Sequence, residues 1–143
     1  MRPTVRALTL ADTGTALLLY DALTLGPKTS DAGHFGRVIS HPGTTVFGAF
    51  AGSALVGMAT LHLLPNVTWG GRPYGLVENV VTHPDHRNQG VGRAVIDAIR
   101  DAAQSAHAYK LMLLTGRKRS AKGFYEAVGF SEEDKYGMVM RWS

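Results

Sequence analysis

Hydrophobic and polar positions alternate from Thr4 to Leu8 with the period of a short strand, and Leu10-Ala11-Asp12 then opens the run Ala16-Leu17-Leu18-Leu19-Tyr20-Asp21-Ala22-Leu23, which reads as helix. Gly26-Pro27 stops that helix. A second helical segment near residues 30–40 ends before His41-Pro42-Gly43. Two β-like runs, Thr44 to Ala51 and Ala54 to Leu64, meet at the turn Ala51-Gly52-Ser53. Pro65 to Pro73, with Gly70-Gly71 near its centre, reads as an exposed loop. Tyr74 to Thr82 is dense in apolar and β-branched residues, as a central strand should be.

After the loop His83 to Gln89 comes the clearest helix, with apolar Val91, Ala94, Val95, Ala98, Ile99 and Ala102 set against polar Arg93, Asp97, Arg100 and Asp101. Tyr109 to Thr115 reads as a strand. A short helix over residues 121–128 follows, with Ser120 as its N-cap and Gly129 just past its end. Phe130 and the run Tyr136 to Trp142 supply final strands. The order β-α-α-β-β-β-α-β-α-β-β predicts a mixed α/β sheet with helices on both faces.

Composition narrows the function classes. The chain of 143 residues, 45% hydrophobic and 18% charged, can bury a core, and with no repeat or linker it is expected to form a single domain, 1–143. Zero cysteines exclude disulfides, thiolate chemistry and Cys-ligated metal centres. The N-terminus lacks a signal-peptide pattern, and no apolar run reaches the roughly 18 residues of a membrane span, so a soluble, cytoplasmic protein is expected. The net charge of +4 admits a nucleic acid, an anionic small ligand or simply a basic surface. No helix-turn-helix, zinc or RNP pattern supports nucleic acid, and the aromatics do not interleave with basic residues. No metal is expected: His83 and His86 with Asp85 imply no third ligand.

Two features carry chemistry. Glu78 and Asn79 sit in the middle of the apolar strand, where a buried carboxylate needs a partner, a solvent-filled cleft or a shifted pKa. Downstream, Arg87-Asn88-Gln89-Gly90-Val91-Gly92-Arg93 joins that strand to the clearest helix. The first turn of a helix leaves several N–H groups without intrahelical partners, and glycines there let the backbone approach a phosphate. The glycine order fits neither the dinucleotide fingerprint nor a Walker loop.

Arg87-x-x-Gly90-x-Gly92 after a strand resembles the pyrophosphate signature of the GCN5-related N-acetyltransferase (GNAT) superfamily. Gly123-Phe124-Tyr125-Glu126-Ala127-Val128-Gly129-Phe130 resembles its second signature, Phe-Tyr-x-x-x-Gly-Phe. The resemblance covers the order of elements over nearly the whole chain. Glu78-Asn79-Val80-Val81 is similar to the branch that includes glucosamine-phosphate N-acetyltransferases, which usually carry Glu-Asp at the first two positions.

The resemblance implies a single-domain fold with a mixed, mostly antiparallel sheet of six to seven strands and helices on both faces. It implies acetyl-CoA as cosubstrate and direct acetyl transfer to a primary amine of a small molecule, an amino-sugar phosphate among the candidates. Val80, Val81 and Thr82 would pair with the pantetheine arm, and the amide of Val80 or Val81 would polarise the thioester carbonyl. Arg87, Asn88, Gln89, Gly90, Val91, Gly92 and Arg93 would hold the pyrophosphate. Glu78 is the candidate general base, directly or through water; it can equally position the acceptor ammonium or make a structural hydrogen bond. Tyr125 is the candidate general acid, since a phenol with reference pKa about 10 can protonate a thiolate whose reference is about 8.5. Packing alone is the other role open to it.

The alternatives are a non-catalytic acyl-CoA-binding sensor and an acetyltransferase acting on a peptide N-terminus, a lysine or a polyamine. Many relatives dimerise, so a homodimer is the expectation. The sequence departs from the pattern at Lys118, where many members have an Asn that contacts pantetheine, and at Asn79. Residues 87–122 hold eight Lys/Arg against two acids, so the basic balance concentrates where a phosphate-rich ligand would sit.

Overall fold

The computed structural model describes residues 2–24 and 26–142. Packing divides the chain into two compact units, residues 1–112 and 113–143. In the first, β1 (Thr4–Ala7), β2 (Thr44–Ala51), β3 (Ala54–Leu64), β4 (Tyr74–Thr82) and β5 (Leu111–Met112) form one sheet in sequential order. The first four pair antiparallel and β5 joins β4 in parallel. Between these strands lie α1 (Thr13–Leu23), α2 (Ala32–Ser40), the single turn α3 (Thr68–Gly71) and α4 (Val91–Ser105).

Successive strand residues point to opposite faces of a sheet, so the neighbours of adjacent β3 residues separate the two layers. Met58 packs with Ala16 and Leu19 of α1, Phe35 of α2, Val46 and Val81. The next residue back, Gly57, lies against Val91 at the start of α4, so close that a Cβ there would clash with it. Helices α1 and α2 therefore cover one face and α4 the other. Val91, Val95, Ile96, Ile99 and Ala103 of α4 are buried, the stripe that its 3.6-residue period predicts. No helix among the described residues is long and apolar enough to cross a membrane.

The second unit holds α5 (Lys122–Ala127). Gly129 takes φ 110°, the left-handed freedom expected past a helix end, whereas Ala121 and not Ser120 occupies the N-cap position. Among the described residues the sheet has five strands where six to seven are expected. Phe130 and the run Tyr136 to Trp142 are not strands, and the run Tyr109 to Thr115 is a strand only at Leu111–Met112. Alternation makes a segment able to be a strand, but a strand exists only when its N–H and C=O groups find a ladder partner. Tyr136, Met138, Val139, Met140 and Trp142 are all exposed.

Candidate active site

Strand β4 loses register at the residues that looked out of place in the sequence. Thr60 pairs with Glu78 and Met58 with Val81, so Ala59 alone faces Asn79 and Val80. This is a β-bulge, and Asn79 takes φ 52° within it, a left-handed conformation that Asn tolerates better than β-branched neighbours would. A bulge takes backbone groups out of the ladder and re-aims side chains. On its other edge β4 pairs with β5 only at Gly75 and Leu76, so Val77 to Thr82 run on with no β5 partner. Backbone groups of Val80, Val81 and Thr82 thus lie along an edge that an extended ligand can pair with.

Beside the bulge, on the α1/α2 face, lies a pocket of about 260 Å³. Thr60 and His62 of β3 and Asn79 of β4 contribute from the sheet, Tyr20 and Asp21 from α1, and His34 from α2. Tyr20 shares a hydrogen bond with Thr60; burial pushes its phenol above the ordinary value, partly offset by that bond. Among the described residues the lining carries one carboxylate, Asp21, and no Lys or Arg. Glu78 is exposed, and as the direct partner of Thr60 it shares the face on which the pocket opens. The burial expected to perturb its carboxylate is not found.

The chain leaves β4 through His83, whose N–H donates to the Val56 carbonyl at 2.7 Å, and makes one 3-10 turn at Pro84–His86. The His83 Nδ1 accepts from the Asp85 N–H at 3.1 Å, and the His83 and His86 rings meet edge-on. Among the described residues no group of three or more His, Asp or Glu is placed to hold a metal. Arg87, Asn88, Gln89 and Gly90 then form an exposed loop. Asn88 takes φ 61° and Gly90 φ 81°, and Gly90 is the N-cap of α4, where no side chain caps the first turn. The N–H groups of Val91 and Gly92 belong to that first turn, where a helix supplies no carbonyl ahead of them. The residues from Arg87 to Arg93 thereby combine the backbone curvature, donors and positive helix end that suit a pyrophosphate.

Tyr125 lies in the second unit, half-buried on α5 with its ring edge-on to Phe124 and Phe130 at 5.2 and 6.0 Å. Burial pushes its phenol above the ordinary value, and the Arg119 cation pulls the other way. Arg117, Lys118 and Arg119 are exposed, and Lys122 pairs with Glu132. Trp69 stacks on Tyr109 at 5.2 Å and takes no part in the pocket.

The sequence reading put Glu78 in a strand and the Arg87 to Arg93 loop after that strand and before a helix, and the structure has this order in β4, the loop and α4. That reading missed Tyr20, Asp21, Thr60 and His62, which come from α1 and β3 and form no motif in one dimension. The polar pair Thr60 and His62, two apart on one face of an otherwise apolar strand, was the available signal.

A family model described as the acetyltransferase (GNAT) family matches residues 18–130. The chain is 36% identical over 81 residues to the glucosamine 6-phosphate N-acetyltransferase of Trypanosoma brucei brucei, covering 57% of this chain and 54% of that protein. It therefore spans about half the length of that relative. It is 34% identical over 77 residues to the Schizosaccharomyces pombe protein of the same name, covering 54% of this chain and 68% of that one. Among solved structures, a protein from Agrobacterium tumefaciens str. C58 assigned as an acetyltransferase superposes with a TM-score of 0.91 at 38% identity, over 97% of this chain and 99% of that one. With the bulged β4, the glycine-bearing turn into α4 and a match over most of its length, the chain belongs to the acetyltransferase (GNAT) family.

Proposed function

We propose that the protein transfers an acetyl group from acetyl-CoA directly to the primary amine of a small, uncharged-ring or hydroxylated acceptor. The observation that carries this reading is the pocket beside the β4 bulge, one strand end away from the Arg87 to Arg93 loop. At about 260 Å³ it is smaller than the roughly 300–1,000 Å³ of drug-sized sites, which suits a metabolite. The strand edge Val80 to Thr82 receives the pantetheine arm, and an amide of Val80, within the bulge, or of Val81, next to it, donates to the thioester oxygen as it gains charge. Glu78 faces the acceptor ammonium and removes its first proton, directly or through water. The amine attacks the thioester carbonyl and the C–S bond breaks; Tyr125 is the proposed donor of the proton that the departing thiolate takes, and the second amine proton, lost as the amide forms, restores the phenol through solvent.

The amino-sugar phosphates of the named relatives remain within this class. Asp21 favours the ammonium of an amino sugar, whereas the described residues of the pocket lining offer its phosphate no Lys or Arg. The test is a panel of amines with acetyl-CoA, read by thiol release: free amino sugars, their 6-phosphates, amino alcohols, polyamines and peptides. Saturable turnover of an amino sugar or amino alcohol is the expected result. Binding of acetyl-CoA without turnover of any amine would make the protein an acyl-CoA sensor instead.

A further inference from the structure

The pocket contains one side chain whose orientation is fixed from behind. His62 and Thr44 are direct partners across β2 and β3, and the Thr44 hydroxyl lies 2.8 Å from His62 Nδ1 and 3.1 Å from His41 Nδ1. Thr44 is buried, His62 half-buried and His41 exposed. A hydroxyl has one proton to give, so it donates to one imidazole and accepts from the other. The exposed His41, when neutral, favours the tautomer with its proton on Nε2, as an imidazole does in water, and its Nδ1 then accepts from Thr44. Thr44 in turn accepts from the Nδ1–H of His62. That leaves His62 Nε2 as a bare acceptor, and it has no hydrogen-bond partner among the described residues.

Resting on the acetyl-transfer reading above, we propose that His62, locked by Thr44 and His41, is the specificity-determining residue that reads a hydroxyl of the acceptor. Thr60 stands opposite Glu78 at the reacting end, and His62 lies two residues further along the same face of β3, about 7 Å away. An acceptor whose amine is at Glu78 therefore presents to His62 a group across a six-membered ring rather than the amine itself. Thr44 and His41 are positioning residues: they hold the tautomer and ring plane and do not touch the acceptor.

The pair of probes is glucosamine and cyclohexylamine, which share a six-membered ring and an amine and differ in hydroxyls. In His62→Phe the ratio of kcat/KM for glucosamine over cyclohexylamine should fall three- to tenfold, the worth of one neutral hydrogen bond. The loss should sit mainly in KM for glucosamine. Thr44→Val should lower the ratio in the same direction, and Thr44→Ser, which keeps the hydroxyl, should restore it. A ratio unchanged in His62→Phe, or a fall in both substrates alike, overturns the assignment and leaves the histidines as supports of the fold. If the unmodified protein acetylates neither amine, the broader amine panel decides the transfer reading, which fails if no amine is turned over, and imidazole nitrogen NMR on that protein still decides the role of His62. Glucosamine, but not cyclohexylamine, should then shift the His62 Nε2 resonance; equal or absent shifts overturn the proposal.

Discussion

Asp12 shows how much one side chain can hold. It is nearly buried, accepts two hydrogen bonds from the Arg6 guanidinium at 2.9 and 3.0 Å, and accepts a third from the Thr9 N–H at 2.8 Å. The Arg6 hydrogen bonds, then the Thr9 amide, hold its carboxyl at about 2, below the ordinary 3.8, and burial opposes them only partly. A carboxyl with a depressed folded pKa stabilises above its unfolded value and loses that contribution as pH falls through the folded one. Asp12→Asn should therefore cost about 1–2 kcal/mol at pH 7, and the gap from the unmodified protein should close between about pH 4 and pH 2. Urea unfolding at a series of pH values measures it. Tyr125 is shifted the other way: burial keeps its phenol protonated beyond the ordinary value, so a proton donor persists through the alkaline range. Tyr125→Phe should lower kcat about a hundredfold with KM for the amine unchanged. Unaltered kcat would reduce the ring to its packing against Phe124 and Phe130.

At the scale of elements, the contact between β3 and the start of α4 sets where the glycine-bearing turn ends. A Cβ on Gly57 would meet the Val91 side chain and lie 3.3 Å from the Val81 carbonyl oxygen. Val91 is branched and buried, so it cannot swing aside. Gly57→Ala should destabilise by about 1–3 kcal/mol, and combining it with Val91→Ala should cost less than the two single changes added. A thermodynamic cycle from denaturant titrations gives the coupling; strict additivity would mean that the two elements do not press on each other. The same scale decides what the sequence could tell. Strands β2, β3 and β4 and helix α4 were legible because their apolar residues follow one period over many positions. The bulge was half legible: Glu78-Asn79 marked the place, while the change of register depends on how β3 lies alongside. The run Tyr136 to Trp142 alternates as a strand does and is not one, because the pairing partner is a property of the fold and not of the run. The pocket was illegible for a related reason, since Tyr20, His62 and Asn79 come from three elements whose approach no local pattern encodes.

Across the whole molecule, charge is distributed unevenly along the chain. Residues 87–122 carry eight of the 15 Lys/Arg and two of the 11 acids, so the basic pI of about 9.6 belongs to the segment that starts at the glycine-bearing turn into α4. A ligand with several phosphates should feel that field before it feels any contact, and the field weakens over about 10 Å at 0.1 M salt. The pocket beside the β4 bulge, whose described lining holds Asp21 and no Lys or Arg, draws on residues outside that segment. Salt should therefore act on the two substrates differently: raising it from 0.05 to about 0.5 M should raise KM for acetyl-CoA several-fold and leave KM for an uncharged-ring amine within about twofold. Arg87 is exposed in the loop, so Arg87→Ala should raise KM for acetyl-CoA at low salt and flatten its salt dependence, with the two proteins converging at high salt. Steady-state kinetics in a potassium chloride series distinguishes the cases. If the variant keeps the full salt slope, Arg87 does not meet the phosphates, and the attraction comes from the other basic residues of the segment acting together.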